Sequence, residues 1–129
     1  MSKPRYLGKQ AHRPIEVVDL IEWKNGPIRI SLTATEFTTL CPVTNQPDFG
    51  QLTIEYVPNG SIVETKSLKL YLWSWRDKRV FNEAAVTTIA DKLFHQIAPH
   101  WLQVTGRFNM RGGIVVEATR ELGKLPPLA

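Results

Sequence analysis

The sequence contains one cysteine, Cys41, among 129 residues. One cysteine cannot form an internal disulfide, and sparse cysteine is typical of proteins from a reducing compartment. No run of about 18 apolar residues is present, so no membrane-spanning helix is expected. The first residues also lack the apolar core of a secretory signal. We therefore expect a cytoplasmic protein that does not contact a membrane.

Several common binding motifs are also missing. The three histidines, His12, His95 and His100, show no metal-ligand spacing with one another or with Cys41, so no metal site is expected. There is no G-x-G-x-x-G motif and no P-loop, which excludes the Rossmann and Walker types of nucleotide site. The tryptophans have apolar rather than basic neighbours, so no platform for stacking nucleic-acid bases is expected.

The composition is that of an ordinary globular protein, with 43% hydrophobic and 22% charged residues. A chain of 129 residues is expected to form one domain, here 1–129. Residues 1–26 are predicted to be an N-terminal arm and residues 119–129 a loose C-terminal tail. The net charge of +4 is mildly basic, which suits a phosphate-bearing ligand.

The hydropathy pattern predicts strands, then helices, then strands. Alternating apolar and polar residues predict strands over 28–35 and 51–57 and a short strand over 61–64. Apolar residues at helical spacing predict a helix from Ser67 to about Trp75 and a second helix over 83–97. Asn82 is predicted to be the N-cap of the second helix. Two more strands are predicted over 101–108 and 113–118.

This order of elements predicts an α+β fold with a four-stranded antiparallel sheet and two helices on one face. Such a sheet has two free edges, where backbone groups lack partners. Joining the sheets of several subunits into a closed barrel removes those edges, so self-association is expected.

The stretch from Cys41 to Gly50 holds the cysteine, Asp48 and two prolines. Proline restricts its own backbone and that of the preceding residue, so the loop should be stiff. A stiff loop could hold the thiol and the carboxylate in one pocket. Free cysteine is also among the most buried residue types. A structural cysteine followed by an ordinary Pro-Asp turn therefore remains open at this point.

Charged residues at helix starts form a second group of candidates. Lys66 and Lys69, three residues apart at a helix start, could bind phosphate or simply form a solvated face. Glu64 precedes them and could balance their charge or accept hydrogen bonds from a ligand. Glu83 in a first helical turn is already explained by the helix dipole. Arg111, before two glycines, could be an ordinary turn residue.

Together, four stretches occur in the order and spacing of a known family. They are the loop from Cys41 to Gly50, the block from Glu64 to Tyr71, the Asn82-Glu83 helix start and the Arg111-Gly112-Gly113 turn. The chain from about Ile28 to Ala118 resembles the NADPH-dependent 7-cyano-7-deazaguanine reductases of queuosine biosynthesis, the QueF family, in their short single-module form.

The resemblance implies the tunnelling fold, with active sites at subunit interfaces and a decamer of two stacked pentamers. It implies that Cys41 adds to the substrate nitrile as a covalent thioimide, which two NADPH molecules reduce to the amine, and that Asp48 is the general acid/base. It also implies substrate-binding residues, Glu64, Thr65, Asn82 and Glu83, and residues for the NADPH phosphates, Lys66, Lys69 and Arg111. The substrate is a free small molecule, so no direct nucleic-acid contact is expected.

The chemistry of these residue types agrees with the implied roles. An ordinary thiol is mostly protonated at neutral pH, so a nucleophilic cysteine needs a neighbouring base or hydrogen-bond donors. A carboxylate can accept two adjacent N–H groups of a 7-deazaguanine in a bidentate pair. The extra phosphate of NADPH calls for lysine or arginine.

The sequence departs from the family pattern at two positions. Asn82 stands where the family usually has histidine, and an amide cannot exchange a proton as histidine does. Thr65 replaces the usual serine or leucine. Two alternatives accompany the reductase interpretation. One is an archaeosine-type amidinotransferase that forms the same thioimide but has no need of NADPH, which the Lys66 and Lys69 pair argues against. The other is a non-catalytic module that binds deazapurines, which Asn82 makes plausible.

Overall fold

The computed structural model describes residues 3–8 and 13–128. His12, included above in the exclusion of a metal site, lies outside these residues. The elements follow in this order: β1 (Leu20–Glu22), β2 (Ile30–Leu40), β3 (Pro47–Val57), β4 (Ser61–Val63), α1 (Thr65–Trp73), α2 (Asn82–Ile97), β5 (Trp101–Arg111) and β6 (Ile114–Gly123).

Four long strands form one antiparallel sheet in the order β2-β3-β5-β6, and β1 pairs with β4 in a separate two-stranded sheet. In the centre of the large sheet, Leu52 of β3 lies between Ala34 of β2 and Gly106 of β5. The predicted α+β fold with an antiparallel four-stranded sheet and two helices is confirmed. No helix among residues 3–8 and 13–128 is long and apolar enough to cross a membrane.

Both helices contribute to one hydrophobic core on a single face of the sheet. Alternate residues of β3 and β5 are buried there, including Leu52, Ile54 and Val104. The helical stripe of α2 packs on them, and Ile89 is fully buried. Contact is close at Gly106, where an added Cβ would lie 2.5 Å from Val86 Cγ2. A larger residue at this position would push α2 away from the sheet.

The predicted start of the C-terminal tail was wrong. The C-terminal tail was expected to be loose from residue 119, but β6 continues to Gly123, which pairs with Trp101. At the other end, the predicted arm contains strand β1, and Arg5 forms an ion pair with the buried Asp19 at 2.7 Å. In both places, long-range pairing orders segments whose local sequence carries little periodicity.

The starts of both helices also differ from the prediction. Helix α1 begins at Thr65 because Glu64 caps it through its side chain. Asn82 is not the N-cap of α2. Phe81 occupies that position with extended backbone, and no side chain caps this helix. Asn82 is instead the first helical residue.

Candidate active site

The loop that carries Cys41 is a closed turn between β2 and β3. Leu40 pairs with Pro47 at the base of the hairpin. Within the turn, the Cys41 N–H donates to Gln46 O at 2.9 Å, and the Asn45 N–H donates to Cys41 O at 2.9 Å. Asn45 has a φ of +60°, a conformation that asparagine tolerates better than most residues. Both backbone groups of Cys41, its N–H and its carbonyl oxygen, are therefore hydrogen-bonded within the turn.

The segment that leads into α2 runs beside this loop. The Leu40 N–H donates to Lys78 O at 2.9 Å, and the Val80 N–H donates to Leu40 O at 3.1 Å, which makes a short parallel bridge. Arg79 Nε also donates to Asn45 Oδ1 at 2.8 Å. This bridge joins the N-terminal end of α2 to the base of the cysteine loop.

Hydrogen-bond donors of the loop act on the Cys41 thiol. The pKa of Cys41 is lowered below its ordinary value by hydrogen bonding. The Thr44 side chain has the largest effect, followed by the backbone N–H groups of Thr44 and Val43. Desolvation and the negative charge of Asp48 act in the opposite direction. The net shift favours the thiolate, which is the nucleophilic form. The cysteine is half-buried rather than enclosed in the core.

Asp48 lies at the start of β3 and contacts Arg111 at the end of β5. Arg111 Nε lies 3.0 Å from Asp48 Oδ1, and Arg111 Nη2 donates to Pro47 O at 2.6 Å. The Asp48 side chain is 12% exposed, while that of Arg111 is 48% exposed. Cys41 and Asp48, predicted as a pair, and Arg111, predicted separately, thus belong to one end of the sheet.

Glu64 caps the first turn of α1 through its side chain. Its Oε2 accepts the Lys66 N–H at 2.6 Å, and its Oε1 accepts the Ser67 N–H at 2.9 Å. The residue is only 3% exposed. Each carboxylate oxygen therefore already has a backbone donor. Glu64 organises the first turn of α1, the turn that carries Lys66.

A groove of about 510 Å³ lies between α1 and β2. Its floor includes Phe37 and Leu72, and the indole of Trp73 lines it. Two cations, Lys69 and Arg76, also line it. Lys66 does not line this groove, so the two lysines are not equivalent. Glu36 lines the groove too, so its lining carries two cations and one acid. A net positive lining with apolar residues fits a ligand that combines flat rings with phosphate groups.

The start of α2 presents the remaining predicted residues. Glu83 is exposed in the first turn of α2. Asn82 is partly buried, and its Oδ1 is a buried acceptor without a hydrogen-bond partner in the described residues. Thr65 is exposed at the start of α1. The structure shows no direct contact that joins these residues to Cys41.

Two residues with evident roles in these features were missed in the sequence. Thr44 lies inside the quoted loop, and its hydroxyl position relative to the sulfur follows only from the folded turn. Arg76 lies in the turn that follows the end of α1, so helical spacing from Lys69 did not point to it. No group of three or more His, Cys, Asp or Glu side chains could hold a metal ion in the part of the chain that the structure describes.

Comparison with known proteins gives consistent similarities. The sequence model described as "QueF-like protein" matches residues 47–126. The NADPH-dependent 7-cyano-7-deazaguanine reductase of Anaeromyxobacter sp. (strain Fw109-5) is 48% identical over 100 residues, which are 78% of this chain and 82% of that protein. The enzyme of the same name from Syntrophus aciditrophicus (strain SB) is 43% identical over 95 residues, or 74% of this chain and 68% of that protein.

Among solved structures, the apo archaeosine synthase QueF-Like is similar in fold. Its TM-score is 0.68 at 21% identity, and the match covers 81% of this chain and 100% of that chain. At this identity the likeness concerns the fold alone.

Proposed function

The chain belongs to the QueF-like protein family, and we propose that it reduces the nitrile of 7-cyano-7-deazaguanine to a primary amine with NADPH, as a step of queuosine biosynthesis. Relatives that are 43–48% identical carry the name of this reductase. The observation that carries the proposal is the placement of Cys41, half-buried in a closed turn at the end of the sheet that also holds Asp48, which pairs with Arg111 at 3.0 Å. The lowered pKa of the Cys41 thiol agrees with a nucleophilic role.

The first chemical step is addition of the thiol to the nitrile. Asp48 accepts the Cys41 proton, and the sulfur forms a bond to the nitrile carbon. One π bond of the nitrile breaks, and its nitrogen takes the proton from Asp48. The product is a neutral thioimide, and Asp48 is again a carboxylate. Proton transfer of this kind by a positioned side chain contributes roughly 10²- to 10⁴-fold to rate.

The groove between α1 and β2 is the proposed site for the cofactor. Lys69 and Arg76 would pair with phosphate, while Trp73 and the apolar floor would cover the rings. Lys66, at the helix start organised by Glu64, is a further candidate cation. Arg111, which the resemblance assigns to the NADPH phosphates, contacts Asp48 and Pro47 and does not line the groove. NADPH bound there would supply hydride. Two hydrides, from two NADPH molecules, and two protons would convert the thioimide to the amine and release the thiol of Cys41.

The substrate ring needs an acceptor for adjacent N–H groups, and Glu83 is the better candidate. Its side chain is exposed, whereas both oxygens of Glu64 already accept hydrogen bonds. Asn82 precedes Glu83 and is the second candidate at this helix start, with an Oδ1 that is buried and has no hydrogen-bond partner among the described residues. Thr65 could donate its hydroxyl from the start of α1. We assign Glu64 the supporting role of holding this helix start.

Self-association is part of the proposal. Strands β2 and β6 lie at the two edges of the large sheet, and pairing edges between subunits would close a tunnelling-fold barrel. A decamer of two pentamers would place residues of neighbouring chains around each Cys41. The medium suited to a reactive thiol is the reducing cytoplasm. The substrate is a free base, so no nucleic acid or membrane takes part.

The test combines the absorbance of NADPH with the intact mass of the protein. NADPH absorbance should fall only when 7-cyano-7-deazaguanine is present, and the product should be the amine. Without NADPH, intact mass should show the protein plus one substrate, and Cys41→Ala should abolish both signals. Continued turnover by Cys41→Ala contradicts the covalent mechanism. An adduct that forms while NADPH is not oxidised contradicts the reductase and favours an amidinotransferase.

A further inference from the structure

We infer that Arg111 is a positioning residue for Asp48 and acts in the step that forms the Cys41 adduct, before any cofactor is needed. This inference rests on the proposed function and deepens it. The resemblance implies a different role for this arginine, on the phosphates of NADPH. The contacts of Arg111 in the structure are with the β3 end that carries Asp48.

The guanidinium of Arg111 contacts two consecutive residues. Its Nε lies 3.0 Å from Asp48 Oδ1, and its Nη2 donates to Pro47 O at 2.6 Å. A planar guanidinium that contacts two adjacent residues fixes the orientation of the Asp48 carboxylate as well as its distance from Arg111. The carboxylate of Asp48 is thereby held by one oxygen. Its other oxygen, Oδ2, has no hydrogen-bond partner in the described part of the chain and remains available for a proton.

The backbone places Arg111 at this position. Gly112 and Gly113 have φ values of +58° and +79° and form the two-residue turn between β5 and β6. Positive φ at both central residues is typical of the tight hairpin turns that favour glycine. The turn pairs Arg111 with Ile114. The antiparallel register of β3 and β5, in which Gly50 lies opposite Phe108, then brings the end of β5 beside the start of β3.

Stability alone does not account for this contact. Arg111 is 48% exposed, and ion pairs with exposed partners contribute little to folding. The Asp48 side chain is far less exposed, and the charge of this carboxylate acts on the Cys41 thiol. Loss of Arg111 would therefore leave the fold intact and release the side chain that exchanges the proton with Cys41.

The experiment measures adduct formation without cofactor. Protein and 7-cyano-7-deazaguanine are mixed in the absence of NADPH, quenched at intervals over a range of pH, and analysed by intact mass. We expect Arg111→Ala to form the adduct roughly 10- to 100-fold more slowly than the original chain, because small misplacements of a reacting group cost this much. Its pH profile should also differ. Arg111→Lys keeps the positive charge but not the planar guanidinium. Its rate of adduct formation should lie between those of Arg111→Ala and the original chain.

Arg107→Ala is the matched control. Arg107 is an exposed arginine on the same strand, and it pairs with Glu117 rather than with a residue of the cysteine loop. It should form the adduct at the original rate. Thermal unfolding of all variants identifies any loss of structure, and Arg111→Lys keeps the test valid if Arg111→Ala unfolds.

The outcomes separate the two roles. If both Arg111 variants form the adduct at the original rate and pH profile, and only the KM for NADPH rises, Arg111 serves the cofactor and the inference is wrong. If the unaltered chain forms no adduct at all, the proposed function fails instead. Slow adduct formation in the Arg111 variants alone supports the positioning role.

Discussion

Thr44 Oγ1 accepts the Gln46 N–H at 3.3 Å inside the turn that carries Cys41. Hydrogen bonding by the same Thr44 side chain is the first of the causes that lower the pKa of the Cys41 thiol. Thr44 thus both closes the turn and stabilises the thiolate. Reactivity at Cys41 depends on the folded loop as well as on Asp48.

Replacing Thr44 should change the titration of the thiol. In Thr44→Val the pKa of Cys41 should rise toward its ordinary value, because the first of the groups that lower it is gone. The rate of alkylation by iodoacetamide should then reach half its maximum at a higher pH. Thr44→Ser keeps the hydroxyl and should keep the profile. An unchanged profile in Thr44→Val would show that the backbone donors are sufficient.

Asp48→Asn should separate thiol reactivity from turnover. The charge of Asp48 raises the pKa of Cys41, so its removal should lower that pKa and increase the thiolate fraction at neutral pH. Alkylation at neutral pH should therefore be faster. Reduction of the nitrile should fall by about 100-fold or more, since an amide cannot transfer the proton. Slower alkylation together with normal reduction would contradict both assignments.

Glu64→Ala should destabilise the protein by about 1 kcal/mol, the typical effect of losing an N-cap. Both Glu64 oxygens accept backbone N–H groups of α1, so the first turn would lose two partners. The KM for NADPH should rise as well, because Lys66 and Lys69 follow on this helix. Glu117→Ala, which removes an exposed partner of Arg107, is the control and should change stability little. Denaturant unfolding measures the stability of both variants.

The groove predicts a specificity for phosphate. Lys69→Ala and Arg76→Ala should each raise the KM for NADPH about tenfold, close to the loss of one charge-assisted contact. Adduct formation without cofactor should be unaffected. Lys124→Ala removes an exposed cation that does not line the groove and is the matched control. Equal KM values in all three variants would place the cofactor elsewhere.

Gly113→Ala should disturb the site more than an equivalent change in a distant turn. Gly113 and Gly60 have similar φ values, +79° and +86°, and open space around a built Cβ. Each alanine substitution should therefore cost about 1 kcal/mol of backbone strain. Gly113→Ala should also slow adduct formation, since its turn carries Arg111. Equal rates of adduct formation in Gly113→Ala and Gly60→Ala would show that the turn before β6 has no part in this reaction.

Local patterns determined most of the secondary structure. The stripe of α2 and the alternation in β3 were predicted because each has one buried face, and a buried face imposes a period on the sequence. The sequence also identified Cys41 and Asp48 as a candidate pair, because two prolines restrict the loop between them. The N-cap at Asn82 was wrong. A capping residue type does not define where the chain turns helical when the preceding Phe81 is already extended.

Only the tertiary structure decided which charges meet. Arg111 and Pro47 are 64 residues apart, and nothing in their local sequences relates them. The antiparallel register of β3 and β5 brings these strand ends together, and the glycine turn orients the arginine. Likewise, the role of Glu64 depends on where α1 begins, and the groove of Lys69 and Arg76 exists because α1 packs beside β2. The sequence by itself supplied the reactive residue types, whereas strand register and helix packing arranged them.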